Sequence, residues 1–406
     1  MRTFSNSDQL RKFLGSANLY LFGAGNICHK TIEKYSLTVL TIIDNNRDIS
    51  FTEEMGFTVL HPTNLEINDY TSSLFLICST SILEIESQLL ELGVPSDNIA
   101  ISPLLNQVFT LSLFETQAYD FLVASGLQNR TDPQLIGGGG LYRVFGDNDH
   151  TNINKISNSP THSICKVGDL FYCASEDHGI ALYDNDLNII NSIHVEKSKR
   201  PHGITASTKY NLILAACSYS DSILVWDLDT HQLVKEIPIS RMFSLSGGTP
   251  QHHCNDITVL GDFAYVSCFS VSGNWKRGLF DGGLIVISLS TLEVVDTINK
   301  EWQMPHSICV HNDNLLVLDS LRGDVLANGF EPIGSFAGFT RGFSSLANGN
   351  LLIGQSKNRN FTFLKEKKLN ISLDNSVIIF EPDRKLSRTI LFPSSISEIH
   401  SIFSLV

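Results

Sequence analysis

No apolar run in this 406-residue chain approaches the roughly 20 residues that span a bilayer, which excludes a membrane-spanning helix of ordinary length. The eight cysteines are scattered without a C-x-x-C pair, so neither a zinc knuckle nor a disulfide framework is indicated, and reduced thiols are expected. Charge is scarce at 17%, and Lys+Arg (29) are outnumbered by Asp+Glu (42). The net charge of −13 argues against a general nucleic-acid binder, whose phosphate contacts need a basic surface. The opening residues Met1–Asn6 lack the apolar core of a signal peptide, and a cytoplasmic location is expected. What remains is a chain long enough for two or three domains, with ordinary apolar content.

The richest stretch is GGTPQHHCND, Gly247 through Asp256, which places paired histidines, a cysteine, an asparagine and an aspartate just before the apolar strand Ile257–Leu260. Weaker copies recur as His162-Ser163-Ile164, His202-Gly203-Ile204, His306-Ser307-Ile308 and His400-Ser401-Ile402, each a histidine, a small residue and an isoleucine. Asn255-Asp256-Ile257 and Arg341-Gly342-Phe343 fit the same register with another polar residue in first place. Six such positions, recurring at intervals from His162 to His400, imply a repeated structural unit.

Residues from about 18 to 103 alternate strand and helix. Strands are expected at Leu19–Phe22, Val39–Ile43, Phe57–Leu60, Leu74–Cys78 and Asn98–Ile101, with helices at Asn26–Tyr35 and Ile82–Leu92. This order predicts a parallel sheet whose ligands lie at the carboxyl ends of the strands. Gly23, Gly25 and Asn26 make a turn at a helix start suited to a phosphate, and Asp44 is placed to accept from a ribose hydroxyl. Cys28 stands where the third glycine of G-x-G-x-x-G belongs, so nucleotide or nucleotide-sugar binding and a purely structural role both stay open.

Residues 104–131 carry apolar side chains at helical spacing (Leu105, Val108, Phe109, Leu113, Tyr119, Phe121, Leu122) and are expected to form a packed helical connector. From about Asp132 the texture changes to short β-type runs broken by Gly, Asn, Asp and Ser. The unit from His202 is the clearest: strands at Gly203–Ala206, Leu212–Ala216, Ile223–Asp227 and Gln232–Ile237, one propeller blade. His400 lies six residues from the end, so its blade must borrow outer strands from residues 133–157. Sharing a blade between the ends closes the ring. The expectation is therefore a Rossmann-like domain over 1–103, a connector over 104–131 and a six-bladed β-propeller over 132–406, with five blades as the alternative.

In a propeller, residues at one register of the innermost strands form a ring around the channel. His162, His202, His306 and His400 are the candidate metal ligands, with Asn255 and Arg341 completing the ring. Arg200, His253 and Glu398, two residues earlier, form a possible second layer. Several imidazoles on one axis suit a divalent Zn, Mn or Fe, and three with an open position would activate water or polarise a substrate oxygen. The candidate catalytic groups are His253, Asp256, Arg341 and Glu398: Asp256 and Glu398 as bases or orienting groups, Arg341 as an anion clamp or a structural counter-charge to Glu398. His150, His178, His194, His231 and His311 fall outside the register and read as surface or strand-end residues.

Two resemblances add to this. LYLFGAGNIC, IIDNN, GFTVLHP, LFLICST and QLLELGVPSDNI resemble the Rossmann-like domain of bacterial sugar acetyltransferases and methyltransferases of surface-glycan pathways, which implies holding a nucleotide-sugar or docking a partner glycan-modifying enzyme. PHGI, GGTPQHHCNDI, GGLIVI, MPHSI, LDSLRGDV, FAGFTRGF and IGQSKNR resemble a bacterial propeller family, a domain of unknown function. More distantly, the P-H-G-I positions resemble propellers of the NHL type and the peptidyl-amidoglycolate lyases. That likeness implies His202, His306 and one of His162 or His400 as metal ligands, though Asn255 and Arg341 depart from the pattern. The expected function is a metal-dependent lyase, hydrolase or transferase acting on a sugar or glycoconjugate. The alternatives are a glycan- or peptide-binding propeller without catalysis, and a metal that only holds the channel shut.

Overall fold

The strand–helix alternation near the N-terminus and the four-strand groups after it are both present in the computed structural model. It describes residues 1–4, 7–15, 17–46, 57, 59–65, 73–127, 138–147, 150–239, 251–327, 329–357, 370–393, 396 and 398–406. Gly247–Pro250 of the histidine-rich stretch, and most of the expected insertion Lys357–Leu373, lie outside the described residues. The chain divides into two units, Met1–Gln117 and Ala118–Val406. No helix among the described residues is long and apolar enough to cross a membrane, and all eight cysteines are free.

The first unit runs α1 (Ser7–Leu14), β1 (Asn18–Phe22), α2 (Asn26–Tyr35), β2 (Thr41–Ile43), β3 (Val59–Leu60), β4 (Ser73–Ile77), α3 (Ile82–Glu91), β5 (Ile99–Ile101) and α4 (Asn106–Glu115). The strands pair in the order β3-β2-β1-β4-β5, all parallel, consistent with a Rossmann-like α/β domain. Alternate residues serve the two faces. Leu19, Leu21, Leu74 and Leu76 pack on one side, and Phe22, Phe75, Ile77 and Ile99 on the other. Burial on both faces is why these strands read as unbroken apolar runs.

The second unit is a six-bladed propeller of four-stranded antiparallel sheets. The chain first lays down β6 (Tyr119–Leu127), β7 (Gly138–Gly146) and β8 (Thr151–Ser157). Blade 1 follows with β9 (Thr161–Val167), β10 (Leu170–Ser175), β11 (Gly179–Tyr183) and β12 (Ile189–Ile193). Blade 2 comprises β13 (Pro201–Ser207), β14 (Leu212–Cys217), β15 (Ser222–Asp227) and β16 (Leu233–Pro238). Blade 3 comprises β17 (Cys254–Leu260), β18 (Phe263–Cys268), β19 (Gly282–Ser288) and β20 (Glu293–Trp302). Blade 4 comprises β21 (Pro305–His311), β22 (Asn314–Asp319), β23 (Asp324–Ala327) and β24 (Glu331–Ser335). Blade 5 comprises β25 (Phe339–Ser345), β26 (Leu351–Ser356), β27 (Ser376–Glu381) and β28 (Leu386–Leu391). The last strand, β29 (Ser401–Ser404), joins the sheet β29-β6-β7-β8 and closes the ring as blade 6.

Middle strands pack against neighbouring blades and are mostly buried, β14 along its whole length, whereas outer strands such as β12 are largely exposed. The core is therefore inter-blade: Leu214 and Val225 of blade 2 pack with Ile257, Val266 and Ile285 of blade 3. Leu122, Ala124 and Leu141 bind the closing blade to Ile164 and Phe171 of blade 1.

The stretch expected as a helical connector departs from that expectation after α4. Tyr119, Phe121 and Leu122 lie on β6, and the closing blade takes three strands from residues 119–157, not only from 133–157. Residues 121–126 are buried without interruption, and a short strand buried on both sides has the same apolar pattern as a buried helix. Leu113, expected to be packed, is 49% exposed on α4.

Candidate metal centre

The six opening positions fall where the repeat placed them, at the start of β9, β13, β17, β21 and β25 and just before β29. In the first five blades the ladder slips at that point. Thr161 and Ser163 pair with Ser175 and Ala174, so His162 is extra, and His202 is extra between Pro201 and Gly203. Blades 3, 4 and 5 slip at Asn255-Asp256, Ser307 and Arg341-Gly342. A bulge re-aims a side chain and ends regular pairing, so a repeated bulge repeats the aim.

The small second residue of the motif has its own work. The Ser163 hydroxyl accepts from Ile204 N–H (3.2 Å), an Asp256 oxygen from Ile308 N–H (3.2 Å), and the Ser307 hydroxyl from Gly342 N–H (2.8 Å). Each ties one blade to another. At Gly203 a Cβ would sit 2.6 Å from Asp256 Cα, so that position must be bare. The other Asp256 oxygen accepts from Ile257 N–H (3.0 Å), and burial pushes its carboxyl up to about 6. Asp256, a candidate base from sequence, thus spends both oxygens on backbone groups.

His162, His202 and His400 converge. One ring nitrogen from each lies within 4.8 Å of the other two, and all three residues are buried. His162 Nε2 is 2.8 Å from Glu176 Oε1, and His400 Nε2 is 2.9 Å from Glu398 Oε2. Carboxylates only accept, so both Nε2 atoms carry the proton. Both Nδ1 atoms then turn to each other, 2.6 Å apart. Two lone pairs that close need a proton or a cation between them. Burial pushes His162 down to about 4 and His400 well below the usual histidine range, with Arg341 acting on both, so an extra proton is disfavoured. Carboxylate-backed imidazoles with converging free nitrogens are the arrangement of a metal-binding histidine pair.

The third imidazole differs. Arg341 donates to His202 Nε2 at 2.7 Å, and its other terminal nitrogen lies 3.9 Å from Glu398 Oε2. Burial, then Arg341, holds His202 well below the usual range. Glu398 is therefore a hub between His400 and Arg341, which corrects the picture of it as a separate outer layer. Arg200 donates to Glu176 (3.0 Å) and to the Tyr219 hydroxyl (3.1 Å). These residues border a cleft of about 300 Å³ lined also by Asp177, Glu196 and Lys197.

His306, expected among the ligands, is not in this group. Its Nδ1 is 2.9 Å from both Met304 O and Ser320 Oγ, and its ring packs against Phe269 and Phe339. His253 likewise joins Phe269 and Trp275 at ring distances of 4.3 and 4.6 Å, and burial holds it at about 3, a neutral aromatic group. Asn255 is 1% exposed, and its Oδ1 has no hydrogen-bond partner among the described residues.

Sequence reasoning missed Glu176. It stands immediately after β10, the second strand of its blade, and meets the histidine that opens the first. Ser320 stands in the same relation to β22 and to His306. Ser218, Phe269 and Lys357 hold the corresponding places after β14, β18 and β26. That second register is visible in the sequence once the blades are aligned.

In the first unit, the Gly23–Gly25 turn is closed by its own aspartate. Asp44 Oδ2 accepts from Ala24 N–H (2.7 Å) and Oδ1 from Asn46 N–H (2.8 Å). Gly23 is at φ +105 with Ser79 and Cys78 against it, while a Cβ on Gly25 would meet nothing. Asn26 begins α2. The Cys28 side chain, in the third-glycine position, is buried in the helix–sheet core.

Comparison with known proteins adds to the propeller. Residues 248–406 match the family model DUF4915, a domain of unknown function, and the match begins inside the histidine-rich stretch. No curated protein matches. Similar solved structures include a chain of a nidogen/laminin complex (12% identity, 71% of this chain and 99% of that one, TM-score 0.48). A protein of unknown function from Bacteroides caccae (12%, 71% and 99%, 0.47) and a luciferin-regenerating enzyme (11%, 57% and 76%, 0.42) are also similar.

Proposed function

We propose that the propeller is a metal-dependent enzyme whose channel holds a divalent Zn, Mn or Fe on His162, His202 and His400. The observation that carries this is the pair of buried imidazoles whose Nε2 atoms are each held by a glutamate while their Nδ1 atoms face each other at 2.6 Å. His162 and His400 would hold such an ion through their Nδ1 atoms, with His202 as the third imidazole. When bound, the ion would polarise a substrate oxygen or activate water.

The remaining tasks belong to the protein's own groups. Glu176 and Glu398 fix the imidazole tautomers, and Arg200 holds Glu176 in place. Asn255 Oδ1 supplies a buried acceptor that a substrate hydroxyl would satisfy. The cleft by Arg200, with Tyr219 40% exposed beside carboxylates and cations, suits a sugar or glycoconjugate, which has apolar faces and many hydroxyls. Hydrolase, lyase and transferase chemistry on such a substrate all use these parts. Nothing is required of the first unit, whose Asp44 is engaged with backbone; a docking or nucleotide-sugar role there, in the cytoplasm, is a separate expectation carried by the family resemblance.

The Arg341–His202 hydrogen bond favours a second reading, a metal-free binding propeller held by a polar network. Elemental analysis of the purified full-length protein separates the two. One equivalent of transition metal, lost in H162A and H400A and kept in H306A, is the expected result. Absence of metal after reconstitution, with all variants alike, selects the binding module.

A further inference from the structure

We propose that Arg341 is a built-in competitor of the metal: it occupies the third ligand, His202, and must move from His202 to Glu398 before three histidines can act together. The inference rests on the metal reading above and adds how affinity at that centre is set.

The six opening positions hold four histidines, an asparagine and one residue of fixed charge, Arg341. Its guanidinium donates to His202 Nε2 at 2.7 Å, so that nitrogen's lone pair is in use. His162 and His400 are in the opposite condition: their Nε2 protons go to carboxylates and their Nδ1 atoms converge. Two ligands are thus set for an ion, and the third is held by a cation. A permanent positive charge against a ligand also repels a dication, and burial strengthens that repulsion. Arg341 is 6% exposed, so water screens little of it.

An alternative seat for the guanidinium already exists. Its NH1 lies 3.9 Å from Glu398 Oε2, the oxygen that also faces His400 Nε2. A small rotation would shorten that contact to a charge-assisted hydrogen bond and free His202. Entry of the ion and transfer of Arg341 from imidazole to carboxylate are then one exchange. Glu398 serves both partners: it keeps the His400 tautomer and receives the displaced arginine.

A merely structural arginine would make the opposite prediction. Removing it would loosen the ring and weaken metal binding, or leave it unchanged. Removing a competitor strengthens binding, so the sign of the effect decides.

The test is a cobalt(II) titration of metal-stripped full-length protein, followed by visible absorption, with zinc affinity from competition against a chromophoric chelator. R341Q and R341M, the second keeping an apolar side chain in the buried site, are compared with wild type. Both variants are expected to bind cobalt and zinc at least about tenfold more tightly, because a desolvated like charge is gone. H202A introduced into R341M should abolish that gain. Equal or weaker binding in both folded variants, with wild type still binding, overturns the competitor role and leaves the metal centre standing. No cobalt spectrum in wild type or either variant overturns both.

Discussion

Two places in this chain gather the groups a ligand would want, and they use them in opposite ways. In the first unit a glycine turn, a helix start and Asp44 come together, but the carboxylate accepts from Ala24 and Asn46 N–H and closes the turn on itself. In the propeller, Glu176 and Glu398 each hold one imidazole, of His162 and His400, and Arg341 holds His202, yet the arrangement leaves two imidazole lone pairs facing across 2.6 Å. The first carboxylate holds the turn of its own strand and its neighbour. The second network turns two nitrogens able to ligate a cation toward one point. A cluster of polar residues becomes a candidate site when its proton count does not close, not when its residues look reactive.

The contrast can be broken most severely at Gly126. A methyl group there would lie 2.4 Å from His400 Nε2, the nitrogen held by Glu398. Gly126→Ala is expected to cost about 1–3 kcal/mol by overpacking and to abolish metal uptake, read as a lower urea midpoint and a lost cobalt spectrum. Normal stability and normal cobalt binding would show that His400 has room and that the cluster is loosely held.

Acid should separate the two networks next. His162, His202, His253 and His400 are buried neutral, with folded values about 4, about 3 or well below the ordinary 6.5. The unfolded chain therefore binds more protons than the folded one between pH 6.5 and 4, and these groups lose stability as pH falls. Asp256 and Asp319 act in the other direction, since burial raises both from 3.8 to about 6 and favours their protonated folded forms. Four groups oppose two, so the propeller should lose stability on acidification across that window. H253F should make the urea-midpoint slope against pH shallower, and D256N should make it steeper. A propeller whose stability rises on acidification would reverse the ranking.

The smallest effect is expected at the closed turn. Asp44→Ala removes a hydrogen bond to Ala24 N–H and should lower the melting temperature of the first unit by the equivalent of about 1 kcal/mol, with cobalt binding untouched. A loss several times larger would mean that Asp44 organises more of the sheet than its two backbone bonds.

Much of the fold is legible because its periodicities are local. The four strands after His202 are bounded to within about two residues by the turn residues that punctuate them. The register of His400 points to a shared blade, and the ring closes that way, but β29 pairs with β6 and not with a strand of 133–157. Strand β6 reads as helix because burial on both sides erases the alternation that marks a strand. At the site, register picks out the six blade openings but cannot sort them. His306 shares the register of His202, yet its neighbours are Phe269, Phe339 and Ser320, and it becomes part of an aromatic wall. Glu176 stays hidden because it meets His162 across a strand pair whose bulge decides who meets whom.

The amino-acid order alone determined that blades repeat, where each begins, and which residue types stand at their openings, because strand length, turn chemistry and the His-small-Ile register are short-range properties. Only the closed ring decided which of those residues touch. The contacts join residues as far apart as 162 and 400. Burial then lowers the histidines, and the balance of two carboxylates against Arg341 and Arg200 depends on distances that no local pattern encodes.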